Sequence, residues 1–289
     1  MGAEQSTEAT IWMPGDFFDS SGDEGEDNQS FALIILNQEI TNLKLFETLY
    51  KNSKLVICAD GGANRLYDAY TTEEDRFSHA PACIAGDLDS LRPDVQSYYS
   101  TLGVEILKVV DQDLTDFEKC LSWISEQSKG FPPILTPPGD YRTVEEEMES
   151  GNEVKISGMQ PEITVLALGG FGGRVDHSFH SINILYRTAY THSIYLISSE
   201  NITFLLPVGD NTIFTPHSVF GPTCGILPVG YGSVMTTSGL VWDLQRQESK
   251  FGGLVSTSNR LESEVIHLHL EGAPAVFTLE LRKQAPGIV

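Results

Sequence analysis

Four strand-like runs, each ending in an acidic or glycine-rich turn, constrain this chain more tightly than its composition does. Residues 55–59, 82–85, 104–109 and 163–168 are short and rich in Val, Ile, Leu, Ala and Cys. Runs as apolar as 55–59 and 82–85 belong to strands covered on both faces. The turns that follow are Asp60-Gly61-Gly62-Ala63-Asn64, Gly86-Asp87-Leu88-Asp89-Ser90, Asp111-Gln112-Asp113-Leu114-Thr115-Asp116 and Gly169-Gly170-Phe171-Gly172-Gly173-Arg174. A first strand at 31–36 precedes them. Helical spacing of apolar residues fills the intervals at 43–50, 65–70, 117–126 and 176–190, and a strand at 194–197 closes this part. Strands alternating with helices predict an α/β domain with a mostly parallel sheet, whose carboxyl-end turns can converge on one crevice.

Beyond residue 199 the texture changes to short β-rich runs separated by Gly and Pro, at 202–206, 212–214, 224–228, 232–236, 253–256, 265–270 and 275–281. This spacing predicts a smaller all-β, sandwich-like domain. The expected organisation is therefore a disordered acidic tail at 1–30, an α/β nucleotide-binding domain at 31–200 and a β domain at 201–289. The tail reading rests on eight acidic residues without a Lys or Arg. Residues 130–161, rich in Pro, Gly and Glu, read as a mobile insertion within the α/β domain.

A net charge of −22 argues against a nucleic-acid surface, and no apolar run is long enough to span a membrane. Cys58, Cys83, Cys120 and Cys224 show no metal-binding or disulfide spacing, and no secretory signal opens the chain. A reducing, cytoplasmic setting is expected.

The turns carry the chemistry. Asp87 and Asp89 lie two positions apart after a buried strand; two such carboxylates repel unless a cation lies between them, and hard oxygen ligands suit magnesium. Asp60-Gly61-Gly62 opens a helix, where free backbone N–H groups attract phosphate and glycine permits close approach. Thr115 and Glu118 form a capping box at another helix start, flanked by Gln112, Asp113 and Asp116. The Gly169–Arg174 turn is neither a dinucleotide fingerprint nor a Walker loop, but Arg174 at its edge has the fork geometry to clamp phosphate, with Asp176 and His177 behind it. Each turn alone is also an ordinary turn or cap. His177 and His180 lack the further ligands a zinc site requires. Trp242, in the β domain, reads more readily as core than as a ligand platform.

The order of these blocks is more specific than any one of them. Cys58–Leu66, Gly86–Ser90, Gln112–Lys119, Leu168–His177, Thr237–Leu244 and Ser256–Asn259 occur in the sequence found in eukaryotic thiamine pyrophosphokinases, and the chain from Phe31 onward resembles that family. The resemblance implies a Rossmann-like α/β domain, a thiamine-binding β domain, and magnesium-dependent transfer of the terminal diphosphate of ATP to thiamine, giving thiamine diphosphate and AMP. By the same resemblance Asp87, Asp89 and Asp116 are the metal carboxylates and, with Arg174, the catalytic residues. Asp60, Gly61, Gly62, Asn64, Gln112, Thr115, Gly172, Gly173 and Asp176 would line the nucleotide and substrate cleft. Trp242 would stack on thiamine beside Ser238 and Asn259, in a homodimer whose thiamine sites lie between subunits. An enzyme acting on another small alcohol and a non-catalytic sensor of thiamine or nucleotide remain open from the residues alone.

Overall fold

The computed structural model describes residues 9–19, 31–127, 164–189, 192–283, 285 and 287–288. The expected insertion at 130–161 lies outside them. The described residues fall into two compact units. One comprises 17–19, 31–127, 164–189, 192–201 and 287–288; the other comprises 9–16, 202–283 and 285.

The N-terminal segment departs from the expected tail. Strand β1 (Thr10–Trp12) is followed by a 3-10 helix (Pro14–Phe18). The Trp12 ring lies 5.0 Å from Phe204, and its Nε1 donates to Asn211 Oδ1 at 3.0 Å. Phe17 and Phe18 are buried, Phe17 edge-on to Phe31 and Tyr195. Large apolar side chains here outweigh the acidic composition that suggested disorder.

The first unit is built from β2 (Phe31–Ile35), α1 (Leu43–Asn52), β3 (Leu55–Ala59), α2 (Gly62–Ala69), α3 (Glu73–Ser78), β4 (Cys83–Gly86), α4 (Pro93–Thr101), β5 (Glu105–Lys108), α5 (Asp116–Gln127), β6 (Thr164–Leu168), α6 (Val175–Arg187) and β7 (Ser193–Ile197). Its strands run in the order β7-β6-β2-β3-β4-β5. Every pairing from β7 to β5 is parallel. β2 is buried at all five positions, as its unbroken apolar sequence requires, and Leu33, Ile34, Ile57, Cys58, Ile84 and Leu166 have no exposed surface. Helix starts follow local chemistry. Asn42 caps α1 by accepting from Leu45 N, Thr72 caps α3, and Pro93 opens α4 at its first turn. The chain runs outward from β2 in one direction through β3, β4 and β5, then returns to lay β6 and β7 on the other side. The order therefore reverses between β2 and β6, which is where such sheets open a crevice.

The second unit continues with β8 (Asn201–Leu206), β9 (Gly209–Phe214), β10 (Phe220–Leu227), β11 (Ser233–Ser238), β12 (Gln247–Ser249), β13 (Ser256–Arg260), β14 (Val265–Glu271) and β15 (Ala275–Leu281). One sheet has the order β1-β9-β14-β11-β12, antiparallel except for β1 beside β9. A second set runs β13-β10-β15-β8, with β10 antiparallel to β13 and to β15. β14 alternates buried and more exposed positions throughout and β15 does so from Phe277 onward, the pattern of strands with one face on a core. No described helix is long and apolar enough to cross a membrane.

Candidate active site

The acidic turns after β3 and β4 and the start of α5 bring three carboxylates together. Oxygens of Asp60, Asp87 and Asp116 all lie within 4.8 Å of one another. Asp60 is the buried member, and it stands in the left-handed region at φ 43°. An aspartate tolerates that conformation better than most residues. One carboxylate oxygen accepts from Ser90 N at 3.1 Å; the other, Oδ1, is buried without a hydrogen-bond partner among the described residues. Burial first, and then repulsion from Asp116, Asp89 and Asp87, pushes its pKa up to about 6 against the opposing Ser90 hydrogen bond. Sequence reading placed Asp60 in the cleft but not among the metal carboxylates, and expected Asp89 there instead. Asp89 lies outside the trio: its amide donates to Asp87 Oδ1 at 3.1 Å and its carboxylate accepts from the Ser90 hydroxyl at 2.9 Å. Between them Leu88 is held at φ 66°, a conformation that costs a bulky residue about 1–3 kcal/mol. Strain of this kind persists where the surroundings over-determine a turn, and here the turn aims Asp87 at the trio.

Asp116 begins α5, and its Oδ1 accepts from Asp87 N at 3.3 Å and from Lys119 Nζ at 3.1 Å. Lys119 is buried, a placement that for an ammonium requires a partner. Thr115 caps the helix: its amide reaches Glu118 Oε2 at 2.9 Å, and its hydroxyl accepts from Glu118 N at 3.4 Å. This is the capping box that the sequence indicated. Gly86 gives the trio room, since a Cβ there would stand 2.7 Å from Asp60 Cβ and 3.1 Å from Asp116 Oδ1.

The other expected residues of this unit are placed as follows. Gly61 and Gly62 open α2, where a Cβ on Gly62 would sit 2.1 Å from the Ile35 carbonyl oxygen. Asn64 bridges Ser90 O and Arg92 N, fixing the Asp87–Ser90 turn against α2. Gln112 is exposed, with its amide toward Val110 O. Gly172 and Gly173 both have positive φ, and Gln38 lies against them. Arg174 is exposed and donates to both carboxylate oxygens of Asp176, at 3.1 and 2.5 Å.

A cavity of about 270 Å³ lies at the carboxyl ends of β2, β6 and β7, lined by Leu36, Gln38, Asn42, Gly169, Phe171 and Ser198 among others. It occupies the switch point of the strand order. Sequence reading missed Gln38 and Asn42 because the Leu36–Asn42 segment has neither a glycine motif nor a charge cluster. The one available signal was position, immediately after the first strand.

In the β unit Trp242 is 57% exposed. Its backbone is clamped by the buried Asn259, which receives Trp242 N at 3.3 Å and donates to Trp242 O at 2.9 Å. Asp243 accepts from the Thr237 hydroxyl and from Leu240 N. Ser238 ends β11 exposed. Asn259 thus fixes the backbone from which the indole projects, and its amide also donates to the Ser256 hydroxyl at 3.4 Å. An exposed indole fixed in this way offers a face to a flat or cationic ligand.

Three carboxylates at strand ends, a buried lysine, glycine turns and a switch-point cavity together suit a metal–nucleotide complex. Comparison with known proteins bears on the same conclusion. A family model for the thiamin pyrophosphokinase catalytic domain matches residues 46–197, and one for the thiamin pyrophosphokinase vitamin B1 binding domain matches 210–272. Thiamine pyrophosphokinase 1 of Oryza sativa subsp. japonica is 36% identical over 263 residues, covering 88% of each chain. Thiamine pyrophosphokinase of Saccharomyces cerevisiae is 35% identical over 256 residues, covering 81% of this chain and 80% of the relative. Among solved structures, yeast thiamin pyrophosphokinase superposes with a TM-score of 0.77 at 28% identity, over 98% of this chain and 94% of the other. Thiamin pyrophosphokinase from Candida albicans gives 0.74 at 27% identity, over 95% and 93%. Matched by both domain models and by relatives over most of their length, this chain belongs to the thiamin pyrophosphokinase family.

Proposed function

We propose that the protein is a thiamine pyrophosphokinase that transfers the terminal diphosphate of ATP to the hydroxyl of thiamine, releasing AMP. The observation that carries this reading, beside family membership, is the Asp60–Asp87–Asp116 trio with its unpartnered buried oxygen. Those residues fit a magnesium ion: three mutually close carboxylate oxygens repel without a cation, and Asp60 Oδ1 has no donor among the described residues. Bound there, magnesium would neutralise phosphate charge and bring the nucleotide to the strand ends.

The chain's own residues do the rest. Asp87 and Asp116, with Asp89 on the same turn, orient the reacting end of the nucleotide, and one of these carboxylates accepts the proton lost by the attacking hydroxyl. Thiamine's oxygen bonds to the β-phosphorus as the bond from that phosphorus to the AMP oxygen breaks. Arg174, released from Asp176, has the fork to hold phosphate oxygens. The N–H groups of the Gly61–Gly62 and Gly172–Gly173 turns, with Asn64, Gln112 and Thr115, surround the phosphates, and the switch-point cavity takes the nucleoside. Trp242, beside Ser238 and held by Asn259, stacks on the cationic ring system of thiamine. A homodimer with thiamine sites between subunits belongs to the same reading, as does cytoplasmic placement, which four free buried thiols suit.

The test is direct. The purified chain, given ATP, magnesium and thiamine, should form AMP and thiamine diphosphate in equal amounts, and EDTA should stop both. Thiamine binding seen by Trp fluorescence without any AMP would mean a sensor; AMP formed with another alcohol but not with thiamine would mean a different acceptor.

A further inference from the structure

Glu118 is a carboxylate with 1% of its surface exposed, and no step of the proposed reaction uses it. Its Oε2 accepts from the Thr115 amide at 2.9 Å and the Thr115 hydroxyl at 2.8 Å. Its Oε1 pairs with the guanidinium of Arg187, 69 residues away at the end of α6. His180 Nε2 stands 3.7 Å from Glu118 Oε2 and 2.8 Å from the Thr115 hydroxyl. His180 and Arg187 are seven residues apart, two turns along one face of α6. The first turn of α5 is thus tied to α6 at two points.

A capping box needs only Thr115 and Glu118, and works on an exposed helix. Burying the box and pairing it across the fold adds desolvation that an apolar side chain would avoid, so a pair like this seldom raises stability over good apolar packing. What it fixes is geometry. Thr115 and Glu118 bracket Asp116, the residue whose carboxylate meets Asp60 and Asp87. Lys119 steadies Asp116 from the next position.

We propose that Glu118 and Arg187 are positioning residues for the acidic trio. They lock the first turn of α5 against α6, hold the Asp116 carboxylate in register with Asp60 and Asp87, and so set metal affinity and turnover while leaving thiamine affinity alone. The turnover part rests on the proposed function; the metal part does not.

The experiment uses the full chain with Glu118→Gln, Arg187→Met and the double variant. Mn²⁺ serves as the probe, its binding followed by electron paramagnetic resonance without nucleotide. Melting midpoints and steady-state kinetics with ATP, magnesium and thiamine are measured on the same samples. Glu118→Gln should weaken Mn²⁺ about tenfold and lower kcat by a similar factor, as loss of a residue behind a metal ligand does. The thiamine KM should stay within about twofold, since the residues proposed to hold thiamine, Trp242, Ser238 and Asn259, are untouched. In the double variant the buried unpaired charge is gone, so melting recovers toward the native value while Mn²⁺ affinity stays low. Should a single variant fail to fold, Arg187→Lys, which keeps the charge but not the fork, is read in the same way. A variant that melts early yet binds Mn²⁺ and turns over like the native chain would overturn the proposal, as would a native chain that binds no Mn²⁺. Mn²⁺ binding without thiamine diphosphate formation would defeat the function reading and leave positioning to be judged on Mn²⁺ affinity.

Discussion

Asp60 combines three costs at one residue: a left-handed backbone, burial, and two carboxylates within reach of its own. Its pKa of about 6 in the folded chain exceeds the ordinary 3.8. The folded chain therefore holds that proton more tightly than the unfolded one, so Asp60 favours folding below its ordinary value and loses that favour as pH rises through 6. In EDTA, Asp60→Asn should keep the stability that the native chain loses between pH 4 and 6, seen as a higher melting midpoint at pH 7. The same variant should have lost its activity, because the amide cannot replace a carboxylate ligand. A native-like melting point at pH 7 would mean that the carboxyl is not under this strain. His192 works in the opposite sense. It is buried with both ring nitrogens lacking partners among the described residues, and burial lowers its pKa to about 4. Because the unfolded chain takes up the proton first, His192 lowers stability as pH falls from about 6.5 toward 4. His192→Leu should remove that slope, worth about 3 kcal/mol across the window, and leave Asp60's opposite slope exposed. Denaturant unfolding at several pH values would show whether the two slopes separate in this way.

At the scale of elements, two glycines with close neighbours should fail differently. Gly86→Ala would bring a methyl group to 2.7 Å from Asp60 Cβ, which can retreat only with its own backbone, and to 3.1 Å from Asp116 Oδ1, which can turn away only by leaving the trio. It should fold, with kcat down at least about tenfold and the thiamine KM little changed. Gly62→Ala would drive its methyl group into the Ile35 carbonyl, where the neighbour is backbone. It should cost about 3 kcal/mol or more of stability, because strand β2 and helix α2 must part. Kinetics on folded Gly86→Ala, and melting of Gly62→Ala, decide between a functional and a packing glycine. The contrast also marks what a sequence can show. The Asp60-Gly61-Gly62 turn is legible as a strand-to-helix turn, but the text of the chain does not say which glycine touches what. The buried strands β2, β3, β4 and β6 were legible because both their faces are covered. β12 and β13, Gln-Glu-Ser and Ser-Thr-Ser-Asn-Arg, were not, since neither polar run carries an apolar face. Within the site, Asp87 and Asp89 stand out by local spacing, and Asp116 enters through the family resemblance. Asp60's membership of the trio depends on backbone at φ 43° and on which strands lie side by side, and spacing encodes neither. Glu118 reads as a capping partner, and its ion pair with Arg187 becomes visible only once α5 and α6 are packed.

For the whole molecule, the N-terminal segment offers the clearest disagreement between composition and packing. Its acidity predicts a dispensable tail, yet β1 extends one sheet beside β9, and Phe17 and Phe18 are buried in the α/β unit. A chain begun at Ala9 keeps those contacts, whereas one begun at Ser20 loses them. Burial of the two phenylalanines alone is worth about 4 kcal/mol. Losing Trp12 also leaves the buried Asn211 without one of its donors. At roughly 2–4 °C per kcal/mol for a chain of this size, the Ser20 start should melt roughly 10 °C below the Ala9 start. None of the lost residues belongs to the acidic trio or to the Trp242 clamp, so the kcat of folded molecules at low temperature should be equal in the two chains. Equal melting points would return residues 9–19 to the status of a tail. A lower kcat with unchanged melting would instead place the segment in the chemistry, a role that its packing does not suggest. Melting curves and low-temperature initial rates on the two truncated chains separate all three outcomes.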